Sequence, residues 1–333
     1  MFITKIYLLL ISFLSIFLIN KYRTKISKKI NLVDKPDQIR KLHTKPTPLL
    51  GGTMIFSVFF FLSFISFFIE DFALTNIIIF LVCFFCFLLG MADDSKDLNY
   101  KYKFLILFFL YYSIVSYDSN LQINQIYFET FDKTIYLNNL NIIFTVFCLL
   151  LLTNSLNLID GIDGLCIMIF IIYFVWMMVI FGKLNHNYLI FIFSLIYVLI
   201  LNLKKNVFLG DSGTLFVGTL IGLLIISNYN TKINNTNFPV EDLYILLMLP
   251  GTDMLRVFIQ RILKRKNPFR SDRIHLHHIF LNLNIRPINI VLIFFLLTCL
   301  PIIINFSNKV EPIFIIISFK VIYLALIFRI NKL

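Results

Sequence analysis

Carboxylate side chains stand at or near the ends of several apolar segments of this chain, where they could hold a cation or a phosphate-bearing ligand. The acids that fall on one predicted side are Asp93, Asp94, Asp97, Asp160, Asp163, Asp211 and Asp253. A carboxylate deep in a bilayer costs about 2.5–3.5 kcal/mol on insertion scales. Any one of these acids is adequately explained as a solvated helix end. Their neighbours are unusual, however, and this favours a shared site.

Polar side chains recur at intervals of three in one stretch, NSLNLIDGIDGL (154–165). They are Asn154, Asn157, Asp160 and Asp163. This spacing keeps neighbouring side chains on one face of a helix. Gly161 and Gly164 lie beside the last two, where they allow the chain to leave the helix and a ligand to approach the backbone.

A second glycine-bracketed acid lies in FLGDSG (208–213), which predicts a turn that opens a helix around Asp211. Helix N-termini and backbone amides favour phosphate. Carboxylate and asparagine oxygens suit Mg²⁺, which uses one or two protein carboxylates and completes its shell with substrate phosphates. Basic neighbours would balance the remaining charge, and the candidates are Lys45, Arg256, Arg273 and nearby histidines. This assembly fits phosphoryl transfer, in which catalysis is mostly positioning and charge stabilisation.

Histidines crowd the segment SDRIHLHH (271–278), which contains His275, His277 and His278 beside Arg273. Three interpretations compete: a zinc site, plain interfacial polar residues, or recognition of a nucleotide or diphosphate. The spacing is not a usual one for zinc and no cysteine is near. We favour nucleotide or diphosphate recognition, because imidazole and guanidinium groups donate hydrogen bonds to phosphate.

The composition places these residues in a membrane protein. The 333 residues are 59% hydrophobic and only 14% charged, an apolar excess that a soluble globule cannot bury. The formal charge of +12 could suggest nucleic acid, but the basic residues lie between apolar segments and indicate membrane orientation instead. The five cysteines lie in apolar stretches, so we expect no disulfide.

Apolar segments long enough to span a bilayer recur along the whole chain. We predict eleven spans, at residues 3–19, 49–69, 73–92, 104–117, 139–155, 165–182, 186–203, 213–229, 243–259, 288–306 and 310–328. The fourth is short, and Lys101 and Lys103 beside it are interpreted as side chains that reach along the lipid to the interface. Most loop lysines and arginines fall on one side, which predicts an outside N-terminus and a cytoplasmic C-terminus. The fold class is therefore all-α, polytopic, with one domain over residues 1–333.

The motifs resemble those of the polyprenyl-phosphate N-acetylhexosamine-1-phosphate transferases. The resemblance extends over about residues 34–278, with the motifs in family order. They are RKLHTKPTPLLGG (40–52), MADDSKDL (91–98), NSLNLIDGIDGL (154–165), FLGDSG (208–213) and DRIHLHH (272–278). The stretch between Asn202 and Phe208 is one residue shorter than is usual in the family, which leaves the role of Asn202 open.

The resemblance implies roles for individual residues. Asp211 and Asn157 would ligate Mg²⁺, with Mn²⁺ as an alternative. Asp93, Asp94, Asp160 and Asp163 would be catalytic, with the first two at the lipid-phosphate end and Asp93 a candidate general base. The residues implied to bind substrate are Lys45, Asn154, Gly161, Phe208, Arg273, His275, His277 and His278.

The resemblance also implies a reaction and a location. A UDP-N-acetyl sugar would donate a sugar-1-phosphate to a polyprenyl phosphate, with UDP-GlcNAc favoured over another UDP-N-acetyl sugar or UDP-MurNAc-pentapeptide. The enzyme would lie in the bacterial inner membrane with its active site on the cytoplasmic face, at the first membrane step of cell-envelope glycan synthesis. A transporter or flippase for a lipid or nucleotide-sugar is the alternative from another class. Nucleic acid is not an expected partner, and a homodimer is left open.

Overall fold

A computed structural model describes residues 2–34, 46–69, 74–182, 186–236, 238–267, 274–307 and 309–330. Helices dominate these residues, because a backbone in lipid must satisfy its hydrogen bonds within its own segment. In chain order they are α1 (Phe2–Lys21), α2 (Arg23–Lys29), α3 (Gly51–Ile69), α4 (Leu74–Lys96), α5 (Tyr100–Tyr117), α6 (Asn141–Ile159), α7 (Leu165–Ile180), α8 (His186–Leu203), α9 (Gly210–Thr236), α10 (Val240–Leu263), α11 (Leu276–Asn282), α12 (Pro287–Phe306) and α13 (Pro312–Ile330). The predicted all-α class is confirmed.

Each predicted span overlaps one of the long helices, several of which extend beyond the predicted bounds. Within the described ranges, five stretches are long and apolar enough to cross a membrane: Leu74–Lys96, Asn138–Ile159, Gly210–Ile233, Pro287–Phe306 and Pro312–Arg329. Shorter apolar helices occupy Leu10–Lys21, Gly51–Phe64, Leu165–Ile180 and Asn187–Leu203. The number of helices that span the membrane, and their orientation, stay predictions.

Two small antiparallel sheets were not foreseen from the sequence. Strand β1 (Val33–Asp34) pairs with β2 (Thr47–Pro48) just before α3. Strand β3 (Gln125–Phe128) pairs with β4 (Lys133–Tyr136) between α5 and α6. The carboxylate of Glu241, at the start of α10, accepts the backbone N–H groups of Glu129 and Thr130 at 3.2 and 3.1 Å, so it anchors the β3–β4 turn.

Helix α9 lies at the centre of the packing, and its first turn is pressed between α3 and α4. A Cβ atom added to Gly52 of α3 would lie 2.3 Å from the backbone N of Gly213. A Cβ atom added to Gly90 of α4 would lie 2.4 Å from the Cα of Ser212. Further along α9, Phe216 packs against Phe56 of α3 with ring centroids 5.3 Å apart. Glycine at these two positions therefore allows the backbones of α3 and α4 to approach the first turn of α9 closely.

The segment before α3 is also bonded to the loop before α9. Gly51 N and Gly52 N donate to the carbonyls of Phe208 and Leu209, both at 2.9 Å, and Phe208 N donates to Pro48 O at 2.9 Å. These main-chain bonds join the end of the RKLHTKPTPLLGG segment (40–52) to the FLGDSG loop. They fix the position from which α9 begins.

Candidate active site

The first turn of α9 is capped by a carboxylate from another helix. Asp94, near the end of α4, accepts the backbone N–H groups of Asp211 and Ser212 at 2.7 and 3.0 Å. The first N–H groups of a helix have no partner within the helix and attract negative charge. Gly210 has φ +74°, and a Cβ atom there would lie 2.6 Å from Asp94 Oδ2. Asp94 thus holds the start of α9 against α4 through both of its oxygens.

Asp211 lies where α4, α5, α6 and α9 converge. Its Oδ1 accepts Asn157 Nδ2 at 3.0 Å, and its Oδ2 contacts the ammonium group of Lys103. The same Asn157 amide donates to Thr214 Oγ1 at 2.7 Å. Lys103 Nζ also lies 2.7 Å from Asp93 Oδ2. The structure therefore brings together three of the residues expected from the sequence, Asp93, Asn157 and Asp211.

Lys103 is a site residue that the sequence analysis missed. Its side chain is only 14% exposed and bridges Asp93 and Asp211, so its interpretation as a lipid-facing residue that reaches the interface is wrong. Asn99 caps α5 by accepting Lys101 N at 3.0 Å, and α5 therefore begins earlier than the predicted span. A lysine in the first turn of the helix after the two adjacent aspartates was the available signal.

Asp160 and Asp163 lie in a turn beyond the helix that carries the asparagines, so the expectation that all four polar side chains share one helical face is wrong for these two. Helix α6 ends at Ile159, and Gly164 has φ +84°, so the chain leaves the helix where the glycines occur. Asn154 and Asn157 lie on the helix, and Asn154 Nδ2 donates to Leu150 O at 2.7 Å. Burial raises the pKa of Asp160 well above its usual range, and the negative charges of Asp211, Asp163 and Asp94 raise it further. The carboxyl groups of Asp160, Asp163, Asp94 and Asp211 are thus close enough for their negative charges to repel one another, and a cation bound among them would reduce this repulsion.

Asn202 has a structural role, which the sequence left open. Its side-chain oxygen accepts the backbone N–H of Gly164, and its Nδ2 donates to Val207 O at 3.0 Å. One buried amide therefore ties the turn after α6 to the loop that leads into α9.

The histidine segment lies against the turn after α6. A Cβ atom on Gly161 would lie 2.3 Å from His277 Nε2, so only glycine lets this imidazole approach the backbone. Burial lowers the pKa of His277 to about 3, and the nearby His278 contributes, so its ring is neutral at physiological pH. Neither ring nitrogen of His277 has a hydrogen-bond partner among the described residues. Buried polar atoms are normally paired, so these nitrogens are suited to a ligand.

Of the other residues implied to bind substrate, Phe208 contributes its backbone to the bonds with the segment before α3. The rings of His277 and His278 lie 4.1 Å apart. Lys45 and Arg273 lie outside the described residues.

Asp211 and Asn157 offer carboxylate and amide oxygens, the type of ligand that Mg²⁺ prefers. Across the described ranges, no three histidine, cysteine, aspartate or glutamate side chains form a ready-made metal cage. Asp211 and Asn157 are the residues that would hold the ion, with substrate phosphates completing its oxygen shell.

Comparison with known proteins identifies the family. The model of glycosyl transferase family 4 matches residues 76–228, which contain the acids of the site and the FLGDSG loop. An undecaprenyl-phosphate alpha-N-acetylglucosaminyl 1-phosphate transferase of Pasteurella multocida is 30% identical over 289 residues, 82% of this chain and 78% of the relative. The protein of that name from Escherichia coli K12 is 25% identical over 271 residues, 78% of this chain and 72% of its own.

A third relative has a similar name. The probable undecaprenyl-phosphate N-acetylglucosaminyl 1-phosphate transferase of Bacillus subtilis strain 168 is 28% identical over 276 residues, 81% of this chain and 75% of the relative. The chain belongs to glycosyl transferase family 4, and the resemblance drawn from its motifs is confirmed.

Proposed function

We propose that this protein transfers N-acetylglucosamine-1-phosphate from UDP-GlcNAc to undecaprenyl phosphate at the cytoplasmic face of the bacterial plasma membrane. The observation that carries this proposal is the convergence of Asp93, Asn157 and Asp211 from three helices around Lys103. The names of the relatives support the choice of sugar and lipid. UMP and a lipid diphosphate sugar would be the products.

The reaction requires one bond to form and one to break. A phosphate oxygen of the lipid attacks the β-phosphorus of the UDP-sugar, and the bond from that phosphorus to the bridging oxygen breaks as UMP leaves. Mg²⁺ held by Asp211 and Asn157 would neutralise charge on the diphosphate. A phosphate monoester is largely ionised at neutral pH because its second pKa is about 6. The nucleophile therefore needs orientation more than deprotonation.

Asp93 is placed for such an orienting role. Its two oxygens accept Leu98 N and Lys103 Nζ, both at 2.7 Å. This pairing directs the Lys103 ammonium group toward Asp211, beside the start of α9. An ammonium group there would attract the phosphate of the lipid acceptor and oppose the charge that builds up during transfer.

Replacing Lys103 by methionine should lower the transfer rate by about a hundredfold, equivalent to roughly 3 kcal/mol, because two buried carboxylates lose their cation. Lys103→Arg should retain part of the rate. Lys101→Met is the matched control, because that side chain is exposed two residues away. Initial rates of radiolabelled sugar transfer in membranes with equal protein content give the comparison. A Lys103→Met rate within threefold of the wild-type rate would remove Lys103 from the site.

The donor nucleotide would occupy the region around Gly161 and His277. The unpaired Nε2 of His277 lies against the exposed Gly161 there, and the acids of the turn after α6 adjoin it. A neutral imidazole can both donate and accept a hydrogen bond, as recognition of a uracil ring or a ribose requires.

An apolar groove between α6, α9 and α10 would accept the polyprenyl chain. Its volume is about 410 Å³, and along α6 its lining extends from Phe144 to Ser155, two residues before Asn157. On the other side Gly222 of α9 and Gly251 of α10 line it. A chain lying in this groove would bring its phosphate toward the end of α6 that carries the site.

The direct test of the proposal uses purified protein, Mg²⁺ and undecaprenyl phosphate with UDP-GlcNAc, UDP-GalNAc, UDP-glucose or UDP-MurNAc-pentapeptide. We expect UMP and lipid-linked sugar in equal amounts, fastest with UDP-GlcNAc and abolished by EDTA. A ten-carbon acceptor should react more slowly, since it fills less of the groove. A transporter or flippase would move its substrate without Mg²⁺-dependent UMP release, and that result would overturn the proposal.

A further inference from the structure

A second buried polar cluster lies outside the acids described above. Asp253 of α10 is 1% exposed, and its carboxylate is bonded from three parts of the chain. The groups that contact it are Arg256 Nη2 at 2.8 Å, Tyr323 Oη at 2.6 Å, Leu276 N at 3.1 Å and His275 Nδ1 at 2.8 Å. A buried carboxylate is tolerated only when it is fully paired in this way.

Arg256 and Tyr323 complete the cluster. Arg256 Nε donates to Tyr323 Oη at 2.7 Å, and Arg256 Nη2 donates to the carbonyl of Ile274 at 2.6 Å. Tyr323 belongs to α13, the last helix, and is 1% exposed. Through these bonds Arg256 and Asp253 of α10 hold the backbone on both sides of His275, at Ile274 and Leu276, and Tyr323 of α13 bonds both of these side chains.

The imidazole rings of His275 and His277 connect this cluster to the turn after α6. The rings of His275 and His277 are nearly parallel, 10° apart in orientation with centroids separated by 5.9 Å. His277 in turn lies against Gly161. Among the described residues, neither His275 Nε2 nor the ring nitrogens of His277 have a hydrogen-bond partner, although these atoms are buried. The cluster thus fixes the backbone and one ring nitrogen of His275, and it leaves His275 Nε2 and the two ring nitrogens of His277 for a ligand.

We infer that Asp253 is a positioning residue for the donor nucleotide: with Arg256 and Tyr323 it holds residues 274–278 so that His277 stays against Gly161. This inference rests on the proposed function for the identity of the ligand. It assigns a role in donor binding to α13, which lies beyond the part of the chain that the family model matches. Asp253 acts through the histidines and does not touch the reacting phosphates.

The test combines steady-state kinetics with hydrogen exchange of residues 274–282 in the purified full-length protein. Asp253→Ala should raise the KM for UDP-GlcNAc at least tenfold, while kcat and the KM for undecaprenyl phosphate change less than threefold. Tyr323→Phe should raise the donor KM about threefold, because Arg256 still pairs with Asp253. Asp253→Asn keeps the shape of the side chain, so its donor KM should lie between those of Tyr323→Phe and Asp253→Ala. Amide exchange in residues 274–282 should be fastest in Asp253→Ala, slower in Asp253→Asn and slowest of the three in Tyr323→Phe.

Tyr197→Phe is the matched control, because its hydroxyl accepts Asn20 Nδ2 at 2.8 Å between α1 and α8, away from this cluster. This substitution should change neither the donor KM nor the amide exchange of residues 274–282. Unchanged exchange in Asp253→Ala, or a fall in kcat with no change in the donor KM, would overturn the inference. If the wild-type protein used no UDP-sugar, the proposed function would fail, while the exchange rates would still decide whether Asp253 holds the segment.

Discussion

Asp211→Asn should lower the rate of sugar-phosphate transfer by about a thousandfold, equivalent to roughly 4 kcal/mol of transition-state stabilisation. The amide keeps the shape of the side chain but removes the charge that a divalent cation and Lys103 both require. The Lys103 ammonium group would then face an amide instead of a carboxylate, so the charge balance of the site changes together with its metal affinity. No other single polar substitution in the site should cost as much.

Initial rates with saturating donor and acceptor measure this effect, after the protein content of each membrane preparation is equalised. Asp242→Asn is the matched control, because Asp242 is a half-buried acid on α10 whose carboxylate accepts Asn305 Nδ2 at 2.7 Å. The control should keep near-wild-type activity. An Asp211→Asn rate within tenfold of the wild type would mean that this carboxylate is not a metal ligand.

Gly90→Ala should have the second large effect, although it changes no polar group. The added methyl would lie 2.5 Å from the carbonyl oxygen of Asp211 and 2.4 Å from the Cα of Ser212, both backbone atoms of the first turn of α9. Overpacking of this kind costs about 1–3 kcal/mol, more than the roughly 1 kcal/mol that alanine contributes to helix stability. Helix α9 must shift relative to α4, which changes the position of Asp211 relative to Asn157 and Lys103. We expect at least a hundredfold loss of transfer and a lower unfolding temperature.

The matched control for this substitution is Gly218→Ala, which lies on α9 about two turns past Asp211. There an added methyl would meet its nearest atoms at 3.5 Å, an ordinary van der Waals distance. Activity should be retained and the unfolding temperature should stay the same or rise slightly. If Gly90→Ala and Gly218→Ala behaved alike, the close approach of α4 to α9 would have no bearing on catalysis.

The sequence predicted some of the polar residues that meet, because they mark the ends of apolar segments, but it also grouped Asp253 with them, which lies in a separate cluster. Asp93, Asn157 and Asp211 were expected together: Lys103 contacts both aspartates, and Asn157 donates to Asp211. Glycine spacing also foretold where α6 ends, since Gly161 and Gly164 allow the chain to turn.

What the sequence could not predict depends on pairings between distant residues. Lys103 lies in the first turn of the helix that follows the two adjacent aspartates, but only the packing of α5 beside α4 and α9 directs its side chain to the acids. The contacts of Asp253 with Tyr323 join residues separated by 70 positions, and no local pattern specifies such a bond. The β3–β4 hairpin likewise depends on Glu241, far along the chain, to bind its turn.

Asp94 illustrates how one motif can contain two different roles. The sequence placed Asp93 and Asp94 together at the lipid-phosphate end. In the fold Asp94 accepts two N–H groups of α9, whereas Asp93 pairs with Lys103. Adjacent helical residues point about 100° apart, so they reach different neighbours. We therefore propose that Asp94 positions the first turn of α9 and thereby sets the geometry of Asp211.

Binding of Mn²⁺ to the purified protein in the presence of UDP tests the central claim most directly. The decrease in the electron paramagnetic resonance signal of free Mn²⁺ reports the bound fraction, and Mg²⁺ should displace it. We predict one site in the wild-type protein and in Asp242→Asn, with at least tenfold weaker binding in Asp211→Asn. Equal affinity in all three proteins would contradict the assignment of the converging acids to a divalent cation.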